Sequence, residues 1–348
     1  MSSPVNAAQA AAVLAEIAYL LRHDPEQAFR SRAFAKAARS LNRLQPDLGT
    51  LRAEGRLESI DGVGAGIAKV LVEVVDSGNS TYLERLRRDV PKESAREYSP
   101  KGRRDAEGGV EVSFLKGDLH SHTDWSDGGS TVYEMARSAR ARGYSYLAIT
   151  DHSPRIRVVN GLGPERLHAQ AEEIRRAMEL LPGFTILRGI EVDILEDGSL
   201  DLPDEALAEL DVVVASPHLK LRMEREAMTE RMLRAVESPH VDIVGHPTGR
   251  RLGSRPGAEY DFEAVFRHAA QHRTALEMDC DPARMDLSPE LARLAAACGC
   301  RLSLDSDAHA PDQLAYVDSG AWMARQAGIG PELLLNCMDL PDLLRHLR

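Results

Sequence analysis

A chain of 348 residues is too long for one small domain and suits two domains of unequal size. Its composition, 43% hydrophobic and 28% charged, is ordinary for a soluble globular protein and sets aside extensive disorder, and no apolar run approaches the ~20 residues of a membrane helix. The net charge of −11 is uneven: residues 1–116 carry 18 Lys+Arg against 16 Asp+Glu, the remainder 25 against 38.

The first ninety residues read as helices joined by short loops. Ala8–Leu21 has apolar residues at helical spacing; Glu16 interrupts it and no basic stretch precedes it, so it reads as an amphipathic helix and not a signal peptide. Ala33–Leu44 repeats the pattern with Lys36, Arg39 and Arg43 on the polar side, and a short helix is expected at Leu48–Glu54. Gly62 and Gly64 sit where a tight turn opens an apolar helix ending near Gly78. Such a turn presents backbone N–H groups at the positive end of a helix dipole, which suits an anion; a plain interhelical turn is the simpler alternative. Arg85, Arg87, Arg88 and Lys92 form a basic cluster that fits phosphates or a solvated helix face. Residues 93–112 are polar and aperiodic, with Pro100 and Gly108-Gly109, and read as a linker between a helical domain at 1–92 and a second domain at 113–348.

After the linker, short apolar runs alternate with helical patterns. Strands are expected at Phe114–Asp118, Tyr146–Thr150, Thr185–Val192, Val212–Ser216, Ile243–His246, Ala275–Met278 and Arg301–Asp305. Helices are expected at Thr131–Arg142, Pro164–Leu180, Glu224–Val236, Asp261–His272 and Pro289–Cys298. Strand and helix alternating about seven times predict an α/β fold with a parallel barrel, whose chemistry belongs at the C-terminal strand ends.

Six of the seven expected strands end in His, Asp or Glu: Asp118-Leu-His-Ser-His122 with Asp127 following, Asp151-His152, Glu191-Val-Asp193, His218, His246 and Asp307-Ala-His309. An H-x-H pair on extended chain sends both imidazoles to one side. A lone His such as His168 or His272 is more often structural, but this joint pattern is not a chance one. His and carboxylate donors in this number suit two or three divalent ions with open positions, not a closed structural zinc. Asp118 and Asp151 are candidates for the catalytic machinery, with a role as acceptors that orient imidazoles as the alternative. Arg250, in His246-Pro-Thr-Gly-Arg250, suits a phosphate contact or a surface ion pair. Cys280, Cys298, Cys300 and Cys337 lack a paired zinc spacing and read as reduced thiols of a cytoplasmic protein, Cys280 being a bystander.

From about Phe114 through Ala310 and beyond, the chain resembles the PHP (polymerase and histidinol phosphatase) family. The resemblance implies a (β/α)7 barrel with three divalent ions, manganese, zinc or iron. Carried over, the nine ligands fall on His120, His122, Asp127, His152, Glu191, His218, His246, Asp307 and His309. His120, His122, Glu191 and Asp307 would hold one ion; Glu191 would bridge to a second held by His218 and His246; Asp127, His152 and His309 would hold the third. Ions so placed clamp phosphate oxygens and lower the pKa of a bound water towards ~7.

Residues 7–92 resemble the N-terminal domain of family X DNA polymerases, with Ser59-Ile-Asp-Gly-Val-Gly-Ala-Gly-Ile-Ala68 as its helix-hairpin-helix. This implies DNA-backbone contacts at Gly62, Gly64, Gly66, Lys36 and Lys69. Val70 stands where relatives place a Schiff-base lysine, and the linker is too short for the polymerase palm. The expectation is a metal-dependent phosphoesterase on DNA ends or abasic sites (exonuclease, 3′-phosphatase or abasic endonuclease) that does not polymerise and has no membrane partner. A small-molecule phosphatase of histidinol-phosphatase type and a non-catalytic DNA-binding protein are the alternatives; oligomeric state is left open.

Overall fold

The first helix is amphipathic as expected and runs Ala7–Arg22 (α1), packed on Ala28–Leu44 (α2). This is a computed structural model, which describes residues 5, 7–22, 27–44, 46–78, 80–89 and 114–347. The chain divides into two units, Met1–Ala106 and Glu107–Arg348; Lys92 and the expected linker 93–112 lie outside the described residues. In the first unit Leu48–Ala53 (α3) is capped by the Asp47 carboxylate, which accepts Thr50 N–H at 3.0 Å. Ala65–Ser77 (α4) and Thr81–Asp89 (α5) complete it. Leu14, Ile17, Leu41 and Leu71 are fully buried at its centre. Gly62 has φ +83°, and a Cβ there would stand 3.0 Å from Lys36 Cγ and 3.2 Å from Ala37 N. The turn into α4 therefore requires glycine on both backbone and steric grounds.

The second unit is a seven-stranded parallel barrel of Gly117–Asp118 (β1), Tyr146–Ile149 (β2), Thr185–Asp193 (β3), Val212–Ser216 (β4), Ile243–Val244 (β5), Ala275–Asp279 (β6) and Leu302–Asp305 (β7). The strands lie side by side in chain order. A parallel bridge from Ser121 to Ala308 joins the last strand end to the first, with His122 N–H donating to Ala308 O at 2.7 Å. Helices Val132–Ala141, Pro164–Leu180, Arg225–Glu237, Phe262–His272 and Pro289–Ala297 fill the intervals where the periodicity placed them.

Barrel strands alternate side chains between the helix layer and the interior. The inward series begins apolar: Tyr146, Ala148, Leu187, Val212, Val214, Ile243 and Ala275 form one buried cluster with Leu343 of the helix Leu340–Leu347. Further along the strands, on the same inward face, come Glu191, Ser216, Glu277 and Asp305. One end of the interior is thus an apolar plug and the other a polar floor.

Two strands are shorter than expected by two residues or more. Phe114–Asp118 shrinks to Gly117–Asp118, and Phe114 is an exposed side chain. Ile243–His246 ends at Val244, because His246 N–H leaves the ladder and donates to the Glu277 carboxylate at 2.5 Å. Helix Val317–Ala327 escaped the periodicity because Gly320 interrupts it; a Cβ there would stand 2.1 Å from Cys280 Sγ.

Buried Asn336 ties the β1/β7 seam: its amide donates to Gly117 O at 3.2 Å and Asp305 Oδ1 at 2.7 Å, and its oxygen accepts Leu304 N–H at 2.7 Å. Each buried polar group left without a partner costs about 1–3 kcal/mol. Asn336→Ala is therefore expected to destabilise the barrel by about 2–4 kcal/mol, read as a lower urea midpoint at unchanged slope.

Candidate metal centre

The strand ends bring the nine expected donors together around one carboxylate. Glu191, near the end of β3, is 1% exposed, and five imidazoles face it, His122 Nε2 the most distant at 3.7 Å from Oε2. His246 Nε2 lies 2.8 Å and His218 Nε2 3.2 Å from Oε1; His152 Nδ1 lies 2.7 Å from Oε2; His120 Nε2 lies 3.6 Å from Oε1. Asp307 approaches from the turn after β7, its Oδ1 3.0 Å from His122 Nε2 and 3.7 Å from His120 Nε2. On the open side Asp127 Oδ1 stands 3.3 Å from His309 Nε2, 3.6 Å from His152 Nε2 and 3.9 Å from His122 Nδ1.

Three sets of donor atoms lie close enough to share a cation each: His122, Asp127, His152 and His309; His120, His122 and Asp307; His152, Glu191 and His218. The partition differs in detail from the one the resemblance implied, since His122 and His152 each enter two sets.

Backbone and side chain both show that this arrangement is not self-sufficient. His246 (φ 25°) and Asp307 (φ 50°) occupy the left-handed region, a strained state for residues other than glycine that clusters at functional sites. His152 Nδ1 and Glu191 Oε2 are buried at 2.7 Å yet form no hydrogen bond, and His122 Nδ1, His218 Nε2 and His246 Nδ1 are likewise buried without one. Burial opposes the charge on Glu191, but His218, His152 and His120 hold its carboxyl well below the usual range. Burial and the neighbouring charges of His309 and His152 push His122 down to about 4; burial and Arg284 push His246 down to about 3. Orphaned nitrogens and carboxylate oxygens converging on shared points fit divalent cations, which accept both donor types.

Neither Asp118 nor Asp151 hydrogen-bonds an imidazole. Asp118 Oδ1 accepts the backbone N–H of His120 (3.2 Å) and Ser306 (3.3 Å), and burial, then Asp305, pushes its carboxyl up to about 8. Asp151 accepts Thr123 N–H (2.8 Å), the hydroxyls of Thr123 and Ser126, and Gln170 Nε2 (2.6 Å). It fixes the loop that carries Asp127. Arg250 donates Nε to Arg284 O at 3.0 Å and Nη2 to Met285 O, so those donors brace the β6 loop.

Of the orienting acceptors, Asp193 was singled out in the sequence only as part of its strand end, and Glu277 not at all. Glu277 faces His120 Nδ1 at 2.7 Å, and Asp193 faces His218 Nδ1 at 3.1 Å. Expecting β6 to end at Met278 hid the pair Glu277 and Asp279, both fully buried and two residues apart on the inward face. Arg284, 8% exposed, was also missed; its Nε lies 3.3 Å from Asp279 and 3.4 Å from Asp307. Cys280 is fully buried and burial pushes its thiol well up, as suits a bystander. In the first unit Lys36 pairs with Asp61 at 2.9 Å, while Gly64, Gly66 and Lys69 are exposed at the start of α4, which no side chain caps.

A helix-hairpin-helix domain model matches residues 6–80 and a PHP domain model matches residues 118–280. A probable phosphatase of Thermoanaerobacter sp. (strain X514) is 30% identical over 243 residues, covering 66% of this chain and 94% of that protein. The chain belongs to the PHP family. Its site is thus of the metal-dependent phosphoesterase kind. The DNA polymerase/3′-5′ exonuclease PolX of Bacillus subtilis is 41% identical over 239 residues, covering 69% of this chain. The PHP chain described here spans 42% of the length of that relative. A solved histidinol phosphate phosphatase from Lactococcus lactis aligns with 62% of this chain and 94% of its own at 16% identity and a TM-score of 0.43. No helix among the described residues is long and apolar enough to cross a membrane.

Carboxylates that orient metal-bound imidazoles are worth ~10–100-fold in metal affinity. Glu277→Gln keeps the volume but weakens the hold on His120 and His246, and is expected to lower divalent-ion affinity by about that factor. Competition against a chromophoric chelator measures it; wild-type affinity would refute the role.

Proposed function

We propose that this chain hydrolyses phosphate esters in DNA, as a 3′-5′ exonuclease, 3′-phosphatase or abasic endonuclease, with divalent ions held by His120, His122, Asp127, His152, Glu191, His218, His246, Asp307 and His309. The observation that carries the DNA reading is the helix-hairpin-helix match at 6–80 in the same chain as the PHP barrel. Sequence-independent amide contacts from such a hairpin position a backbone without reading bases. Gly62, Gly64, Gly66, Lys36 and Lys69 are its proposed contact residues. Residues 81–117, between the two matches, are too few for a polymerase domain, so no polymerisation is assigned.

Three bound ions, manganese, zinc or iron, would clamp the phosphate oxygens and bring the pKa of a coordinated water near ~7. The protein's own part is preorganisation. Glu277 and Asp193 hold His120 and His218 by Nδ1, leaving each Nε2 towards Glu191. Asp151 locks the loop of Asp127, and the Arg250 guanidinium holds the backbone of the loop that aims Arg284. Arg284, beside Asp307, offers the one buried cation among these carboxylates and is placed to meet phosphate charge.

A small phosphomonoester is the second reading. It is favoured by the acidic excess of the barrel half, and the Thermoanaerobacter protein matched over 94% of its length is a probable phosphatase.

Hydrolysis by manganese-reconstituted protein separates the two, with 3′-labelled single-stranded DNA, an abasic duplex and histidinol phosphate offered side by side. Turnover of DNA is expected, falling at least about a hundredfold in His120→Ala. Turnover of the small ester alone would overturn the DNA reading.

A further inference from the structure

Basic residues gather on one side of the barrel mouth, on the loops that follow β4 and β5. Residues 217–223 hold Lys220 and Arg222, residues 247–258 hold Arg250, Arg251 and Arg255, and neither stretch contains an acidic residue. The loops touch: a Cβ on Gly249 would stand 2.9 Å from the Leu221 side chain. The second loop folds as a tight hairpin with Arg251 bridged to Arg255, and it rests on the β6 loop through Leu252 N–H to Ala283 O at 2.7 Å. Lys220, Arg222 and Arg251 are exposed; Lys220 and Arg222 have no ion-pair partner among the described residues, and Arg251 stands at the long distance of 3.8 Å from the Asp281 carboxylate. Exposed Leu219 and Leu252 stand beside them, 43% and 50% accessible.

These loops are rooted in the centre itself. His218 leads directly into Leu219–Arg222, and His246 leads into the Arg250–Arg255 hairpin. Arg250 braces Arg284, so cations run from the buried guanidinium beside Asp307 outward to exposed Lys220, Arg222 and Arg251. His120 and His122 are fully buried. A scissile phosphate reaches such donors on a narrow, flexible chain and not on a stiff duplex.

We infer that the loops after β4 and β5 form a track for single-stranded polynucleotide, in which Lys220, Arg222 and Arg251 hold the phosphates next to the scissile one while Leu219 and Leu252 contact base faces. The inference rests on the DNA reading above and deepens it, placing a polymer grip on the barrel itself. Cations on a groove track the backbone without reading sequence, and apolar side chains such as Leu pack against unstacked bases.

The test uses the full chain with Mn²⁺, a labelled oligothymidylate of about a dozen nucleotides, and bis(p-nitrophenyl) phosphate as a small diester. Each single-strand phosphate contact contributes about 0.7 to the slope of log affinity against log salt. The triple variant Lys220→Gln, Arg222→Gln, Arg251→Gln is expected to lower the ratio of kcat/KM for oligomer over small diester by about tenfold or more, and to flatten the salt slope by about 2. Arg222→Gln alone should flatten it by about 0.7, which keeps the test open if the triple variant folds poorly. An oligomer-cleaving wild type whose variants keep both ratio and slope overturns the track alone. A wild type that spares the oligomer but turns over the small ester overturns the DNA reading and the track with it.

Discussion

The buried carboxylate of Glu191 is the constraint on which the second unit is organised. Taking an ionised carboxylate out of water costs several kcal/mol even after relaxation. Glu191 is 1% exposed, and the groups that offset this cost come from the ends of four other strands: His120 after β1, His152 after β2, His218 after β4 and His246 after β5. No local segment could supply them. The ladder that aligns β3 between β2 and β4 is therefore also what makes the carboxylate tolerable.

The same logic explains where the barrel is strained. A strand that simply continued would carry His246 out along the ladder; the Glu277 carboxylate takes its N–H instead and turns the backbone to φ 25°. Glu277 also faces His120 Nδ1, so one buried side chain fixes the end of β5 and the ring on β1 together. Asp307, at φ 50°, turns in the same sense after β7 to reach His122. Strain of this kind persists only where the surroundings over-determine it, and here Ser121–Ala308 pairing and the Asn336 clamp do so.

How much of this was legible in the sequence follows from which forces act locally. Helix Pro164–Leu180 and strand Val212–Ser216 lie where the periodicity put them, because burial of one face dictates both pattern and structure. The choice of nine donors came from the family resemblance; the polar strand ends they belong to were legible because they recur at barrel spacing, six of seven carrying a residue too polar for a plug. Glu277 was not, because a carboxylate between Leu276 and Met278 breaks the expected apolar run and resembles an error in the pattern. Its meaning depends on His120, 157 residues away in sequence. The partners of Asp118, Asp151 and Arg250 were not legible for a related reason: residue type gives the capacity to bond, while the partner is set by loops whose path the periodicity does not encode.

Net charge misleads in the same way. The second half carries 38 acidic residues against 25 basic, which read as a surface hostile to a polyanion. Yet nine of those acids are buried, among them Asp118, Glu191, Glu277, Asp279, Asp305 and Asp307, against only two buried basic residues, Arg231 and Arg284. More than half of the imbalance thus lies inside the barrel, where it is an asset to a cation and hidden from a strand outside. What an approaching phosphate meets is the local field, and on the loops after β4 and β5 that field comes from Lys220, Arg222, Arg250, Arg251 and Arg255; neither loop carries a carboxylate, and Asp281 of the β6 loop lies 3.8 Å from Arg251. An acidic interior that concentrates divalent cations and a basic rim that receives phosphate are complementary parts of one electrostatic arrangement, and the sum of the charges records neither.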